Sequence, residues 1–138
     1  MNLRRLAALE RALLLANALG TGAATVVLAL WPAAIPAVIG VDLRPEQFIV
    51  CYFLAGSEAA ICFMCILTLR SQLQDVRIMA FQVLIVLHAS TAVLSIVGMI
   101  RGSSVVILWN VGLRVGIVLL LALAVISRLS FGSEHSDR

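Results

Sequence analysis

The chain has 138 residues, which is enough for one domain. It is 62% hydrophobic and only 12% charged, with a mean hydropathy of +1.11, and this excludes an ordinary soluble domain, where about 25% of residues are charged. The net charge of +3 comes from ten arginines and no lysine, and without a basic stripe interleaved with aromatics it gives no support for nucleic-acid binding.

Four apolar segments, at about 12–38, 47–69, 78–100 and 104–127, approach the ~20 residues that cross a ~30 Å hydrocarbon core. Open sheet edges cannot exist in lipid, and no alternating barrel pattern is present, so the segments are read as helices. The expected fold is one all-α integral membrane domain over 1–138, a bundle of four transmembrane helices.

Taken in chain order, Met1-Asn2-Leu3-Arg4-Arg5 before an apolar run has the outline of a signal peptide. The run is too long for one, contains Asn17 and precedes no small-x-small cleavage site, so a retained first helix is expected. Trp31-Pro32-Ala33-Ala34-Ile35-Pro36 ends the first regular helix, because both prolines lack a backbone donor and disfavour helix before them. Trp31 falls where interfacial aromatics anchor. Residues 33–40 are too apolar for a free loop and read as a short interfacial helix or re-entrant stretch.

Gly40-Val41-Asp42-Leu43-Arg44-Pro45-Glu46 reads as a turn into a second helix. Asp42 is the expected cap, Pro45 lies in the first turn, and Glu46 sits near the positive helix end. Ser71-Gln72-Leu73-Gln74-Asp75 forms the next link, and Arg101-Gly102-Ser103-Ser104 a tight one with a serine cap. Residues 130–138 read as a mobile polar tail, with His135 solvated. Links this short make successive helices antiparallel neighbours.

Arginine placement sets the expected orientation. Arg4, Arg5, Arg11, Arg70, Arg77, Arg128 and Arg138 fall on one side, against Arg44 and Arg101 on the other. Both termini are therefore expected in the cytoplasm, with the chain in a bacterial cytoplasmic (inner) membrane.

Each span carries one polar stripe at helical spacing. These are Asn17, Thr21 and Thr25 on the first; Cys51, Glu58, Cys62 and Cys65 on the second; His88, Thr91 and Ser95 on the third; and Asn110 with Arg114 on the fourth. Glu58, His88 and Arg114 each lie near the middle of a span, where an unpaired charge costs several kcal/mol. A Glu58–Arg114 ion pair is expected, with Asn110 or His88 filling the remaining bonding capacity. Two readings of it stand: a pair that locks the bundle, or a site for a ligand, ion or proton. His88 is a candidate proton carrier because imidazole titrates near neutrality. A metal held by His88, Glu58 and Cys62 would have the Arg114 cation beside it, so no metal is expected.

Cys62-Phe63-Met64-Cys65 is a CxxC, the pattern used by small four-helix membrane oxidoreductases with a bound quinone. It lies inside a span, however, and Cys51 is about eleven residues away on the same helix, beyond bridging distance. Three reduced packing cysteines are expected, with Cys62 and Cys65 as the alternative redox pair. Gly112-Leu113-Arg114-Val115-Gly116 is a GxxxG, and Gly20-Thr21-Gly22-Ala23-Ala24 and Ala55-Gly56-Ser57-Glu58-Ala59 are similarly small, which marks all three as places of close helix approach. The GxxxG and Gly56 are expected to bring the second and fourth helices together, the alternative being a homo-oligomer seam. No phosphate-binding loop, HExxH or nucleophile elbow is present. Internal inverted repeats of a transporter would not fit without oligomerisation.

Trp31-Pro32, Gly40-Val41-Asp42-Leu43 and a second helix with Gly56 beside Glu58 carry a resemblance to small four-helix DoxX-like bacterial membrane proteins. The resemblance implies the four-helix architecture and an association, in some members, with quinone-linked oxidoreductases. The function expected is a binding or accessory membrane protein, not an enzyme. Glu58, Arg114, His88 and Asn110 would contact a small amphipathic or lipophilic ligand, alone or in a larger membrane complex. The alternatives are a quinone-linked thiol redox subunit and proton-coupled transport by an oligomer.

Overall fold

A computed structural model of the chain describes residues 3–100 and 107–136. Among these residues there is no strand. The elements are α1 (Leu3–Leu30), a short α2 (Ala34–Val38), a 3₁₀ turn (Pro45–Gln47), α3 (Phe48–Arg70), α4 (Gln74–Ile100) and α5 (Ile107–Ser136). Four of the helices are long and apolar enough to cross a membrane. The shortest of these, α3, has 23 residues, and at ~1.5 Å per residue it covers about 35 Å, more than a ~30 Å hydrocarbon core. Outward faces carry Phe53, Val86, Leu94 and Leu119, side chains that water penalises and hydrocarbon does not.

The breaks follow from backbone chemistry. Trp31 N–H still bonds Val27 O at 2.7 Å, but Pro32 has no N–H to continue the ladder, and α1 stops. The apolar segment after it forms α2, one of the two forms expected there. Its end is a Schellman turn, in which Val41 N–H donates to Pro36 O at 2.9 Å and Gly40 N–H to Ala37 O at 3.0 Å. That turn puts Gly40 at φ 75°, a conformation a side chain would strain. Asp42 does not cap the next helix. The N–H of Arg44 is taken instead by Gln47 Oε1 at 2.9 Å, with Pro45 in the first turn.

Three boundaries differ from the sequence reading, and one of them is the start of α4 at Gln74, inside the link expected at 71–75. The first helix begins at Leu3, so Glu10 lies inside it. The last continues to Ser136, so residues 130–136 are helical where a mobile tail was expected. The expected serine-capped link at 101–104 lies outside the described residues.

Helix α1 packs along α3, and α4 along α5, while α1–α5 and α3–α4 meet over shorter stretches. The helices therefore stand in a ring, with α1 opposite α4 and α3 opposite α5. This overturns the expected approach of the second and fourth spans, since α3 and α5 face each other across a diagonal. Leu6, Leu14, Cys65, Phe81, Leu84 and Leu121 form the main core, drawn from all four long helices. A smaller cluster of Leu28, Cys51 and Ala55 joins α1 to α3, with Leu43 packed on it.

Of the three small-residue stretches, the close contact falls on the one in α1. A Cβ on Gly22 would stand 3.3 Å from Cys62 Sγ, whereas one on Gly56, Gly112 or Gly116 would meet nothing within 4 Å. Gly112 and Gly116 instead floor an apolar groove of about 460 Å³ with Leu108, Trp109 and Leu120. Gly22→Val should therefore cost about 1–3 kcal/mol through overpacking, while Gly112→Ala should stay within about 0.5 kcal/mol of the parent. Chemical unfolding in mild detergent measures both.

Candidate functional site

One polar ladder on α1 organises the interior. Asn17 Nδ2 donates to Leu13 O at 2.8 Å, Thr21 Oγ1 to Asn17 O at 2.7 Å, and Thr25 Oγ1 to Thr21 O at 2.9 Å. Each polar group is thus satisfied along its own helix, the condition for burying it in an apolar bundle. Thr25 also reaches Ala55 O of α3 at 3.3 Å. Thr91 and Ser95 of α4 likewise spend their hydroxyls on their own helix, bonding Leu87 O and Thr91 O.

Asn17 crosses the diagonal. Its Oδ1 lies 2.7 Å from His88 Nε2 of α4, and His88 Nδ1 lies 3.2 Å from Arg114 Nη1 of α5. Arg114 Nε donates to Asn110 Oδ1 at 2.7 Å. A guanidinium only donates, so His88 Nδ1 must accept. A neutral ring then carries its proton on Nε2 and donates to Asn17, whose amide donates to Leu13 O. The chain from Arg114 through His88 and Asn17 to Leu13 O therefore has one direction, fixed at its arginine end.

This chain borders a cavity of about 340 Å³, lined by Leu13, Asn17, Gly20 and Thr21 of α1, Glu58 of α3, His88 of α4, and Asn110, Leu113, Arg114 and Ile117 of α5. Asn17 and His88 are buried and Glu58 is half-buried, whereas Gly20, Asn110 and Leu113 are exposed. The buried part of the lining is Leu13, Asn17 and Thr21 of α1 with His88 of α4, and the exposed part, at the mouth, belongs to α1 and α5. A Cβ on Gly20 would meet nothing within 4 Å, so the mouth is open on that side.

All four expected site residues line this one cavity, but the expected ion pair does not form. Among the described residues Glu58 has neither an ion pair nor a hydrogen bond, whereas Glu10 has two arginine partners. Arg114 turns instead to Asn110 and His88, and it reaches Glu58 of the opposite helix only through an electrostatic attraction. Both groups line the cavity.

The three cysteines are free thiols. Cys65 is fully buried in the core, and Cys62 packs at Gly22. Among the described residues, no group of three His, Cys, Asp or Glu side chains could hold a metal.

The buried ion pair of this protein lies elsewhere. Glu10 is fully buried and accepts both Arg128 Nε at 2.6 Å and Arg128 Nη2 at 2.8 Å, the bidentate geometry that suits a guanidinium fork. Arg77 Nη1 stands 3.6 Å from the same carboxylate, and its Nη2 donates to Ser71 O at 3.0 Å. Sequence reading missed Glu10 because it abuts Arg11 just before the apolar run and looks like a flanking charge. The signal was available: Glu10 lies seven residues before Asn17, on the face of Asn17, Thr21 and Thr25.

The fold and cavity define a small four-helix protein of membrane-spanning dimensions with a polar pocket in its middle. No family model, curated protein or solved structure matches the chain.

Two outcomes follow from this geometry. Glu10→Ala leaves Arg128 and Arg77 without their shared counterion and should cost about 3–5 kcal/mol, read by chemical unfolding in detergent. Nitrogen NMR of the folded protein should find neutral His88 with its proton on Nε2; a proton on Nδ1 would contradict the Arg114 contact.

Proposed function

We propose that the chain is a multi-pass protein of the bacterial cytoplasmic membrane, an up-down-up-down antiparallel bundle with both termini in the cytoplasm. It acts as a binding or accessory protein whose mid-membrane cavity holds a small amphipathic or lipophilic ligand. The topology is supported by the seven-to-two arginine bias. It is supported too by the meeting of Glu10, early in α1, with Arg128, late in α5, and Arg77, early in α4.

The observation that carries the binding role is an acid and an arginine on one cavity that form no ion pair with each other. Glu58 accepts no hydrogen bond, and Arg114 bonds only to the neutral acceptors Asn110 and His88. Groups of this kind inside a membrane span are expensive, and they commonly mark ligand, ion or proton sites. Leu13, Leu87, Leu113 and Ile117 give the cavity apolar walls, suited to a ligand with a polar head and an apolar body.

Protein purified in mild detergent should retain a ligand detectable by native mass spectrometry. Glu58→Ala and Arg114→Ala should each lose it, and Gly20→Leu should lose it by filling the mouth without touching the core. Helical content and elution volume establish that each variant is folded. Unchanged ligand content in folded Glu58→Ala and Arg114→Ala overturns the binding role.

A further inference from the structure

This molecule builds an acid and an arginine in two contrasting ways. Glu10 and Arg128 meet directly at 2.6 and 2.8 Å and leave no room between them. Glu58 and Arg114 stand on opposite helices, form no ion pair, and both line a cavity of about 340 Å³. Arg114 has spent its Nε on Asn110 and one Nη1 proton on His88, which leaves the outer end of its fork, with Nη2, for an acceptor. Glu58 lacks a donor. The two vacancies are complementary, and the two charges sum to zero.

A head group that meets both must therefore offer an acceptor toward Arg114 and a donor toward Glu58. A head with a net charge of either sign would gain one attraction and meet one repulsion, from Arg114 for a cation and from Glu58 for an anion. It would also lose its own hydration, so a head without net charge fits the pair best. The way in is equally defined. The exposed lining residues, among them Gly20, Asn110 and Leu113, belong to α1 and α5, which touch over only a short stretch. The mouth is a lateral slot between two helices that are long and apolar enough to cross a membrane. An apolar chain can lie in that slot while its head reaches the cavity.

We propose that the cavity takes a single-chain amphipath with an uncharged, hydroxyl-bearing head, entering sideways between α1 and α5. Its hydroxyl donates to Glu58, and its carbonyl or second hydroxyl oxygen accepts from Arg114. This head-group assignment rests on the ligand-binding reading of the same cavity and sharpens it to a chemical class.

The test uses the full chain in phosphatidylcholine nanodiscs and three probes of equal chain length: 1-monopalmitoylglycerol, hexadecyl sulfate and hexadecyltrimethylammonium. The last two carry permanent charges, so the comparison does not depend on probe protonation. Native mass spectrometry measures retention of each. The parent protein should prefer the glyceride over both ions by about tenfold or more, the scale of one charge-assisted contact. Glu58→Gln should raise hexadecyl sulfate retention by about tenfold, and Arg114→Gln should do the same for hexadecyltrimethylammonium. Gly20→Leu should reduce retention of all three.

A parent protein that prefers hexadecyl sulfate, or a selectivity unmoved by Glu58→Gln and Arg114→Gln, overturns the head-group assignment. If the parent keeps a co-purified ligand but none of the probes, the assignment falls and the binding role stands. If it keeps neither ligand nor probe, both fall.

Discussion

A polar side chain on a helix surrounded by hydrocarbon has no water to fall back on, so its partners must come from the protein itself. In this bundle those partners are reached chiefly from one helix. Helix α1 sends Glu10 to Arg128 of α5 and Arg77 of α4, Asn17 to His88 of α4, and Thr25 to Ala55 of α3. These contacts tie α1 to every other long helix. Two of them cross the diagonal between α1 and α4, where the backbones do not approach. Apolar packing alone would hold the helices weakly in lipid, where tails compete as equals for apolar surface. The polar ladder adds the missing preference for one arrangement.

The two ionic centres divide the labour. Glu10 and Arg128 close on each other, and a buried pair of that kind costs several kcal/mol to break from one side. Arg114 is held by its neighbours but left partly unsatisfied, and Glu58 is left wholly so. His88 and Asn110 hold the guanidinium by one hydrogen bond each, and neither is an anion. A rigid chain behind a charge, with open space in front of it, is how a protein keeps a charge available.

Much of this was legible in the sequence, and for physical reasons. Hydrocarbon thickness and hydropathy together fix four helices, and Pro32 fixes where α1 stops. Helical periodicity placed Asn17, Glu58, His88, Asn110 and Arg114 inward, and the cavity gathers all five. The helix order around the ring was not legible, because loop length constrains which helices are successive and not which stand opposite. Nor was the choice of partners: Arg114 takes Asn110 and His88 in place of the expected Glu58. The ring order left Gly112 and Gly116 on an open groove, while the close approach fell at Gly22 and Cys62. Glu10 was hidden for another reason: next to Arg11 at the edge of an apolar run, a buried acid and a flanking one look alike.

The claim on which the rest depends is that Arg114 is held by His88 and kept apart from Glu58. Solid-state NMR on the labelled protein in lipid bilayers measures this directly, through dipolar couplings from the Arg114 guanidinium nitrogens. The account predicts a close approach to His88 Nδ1, near the 3.2 Å seen here, and no direct contact with the Glu58 carboxyl carbon. A guanidinium docked on the Glu58 carboxylate, with His88 released, would contradict it.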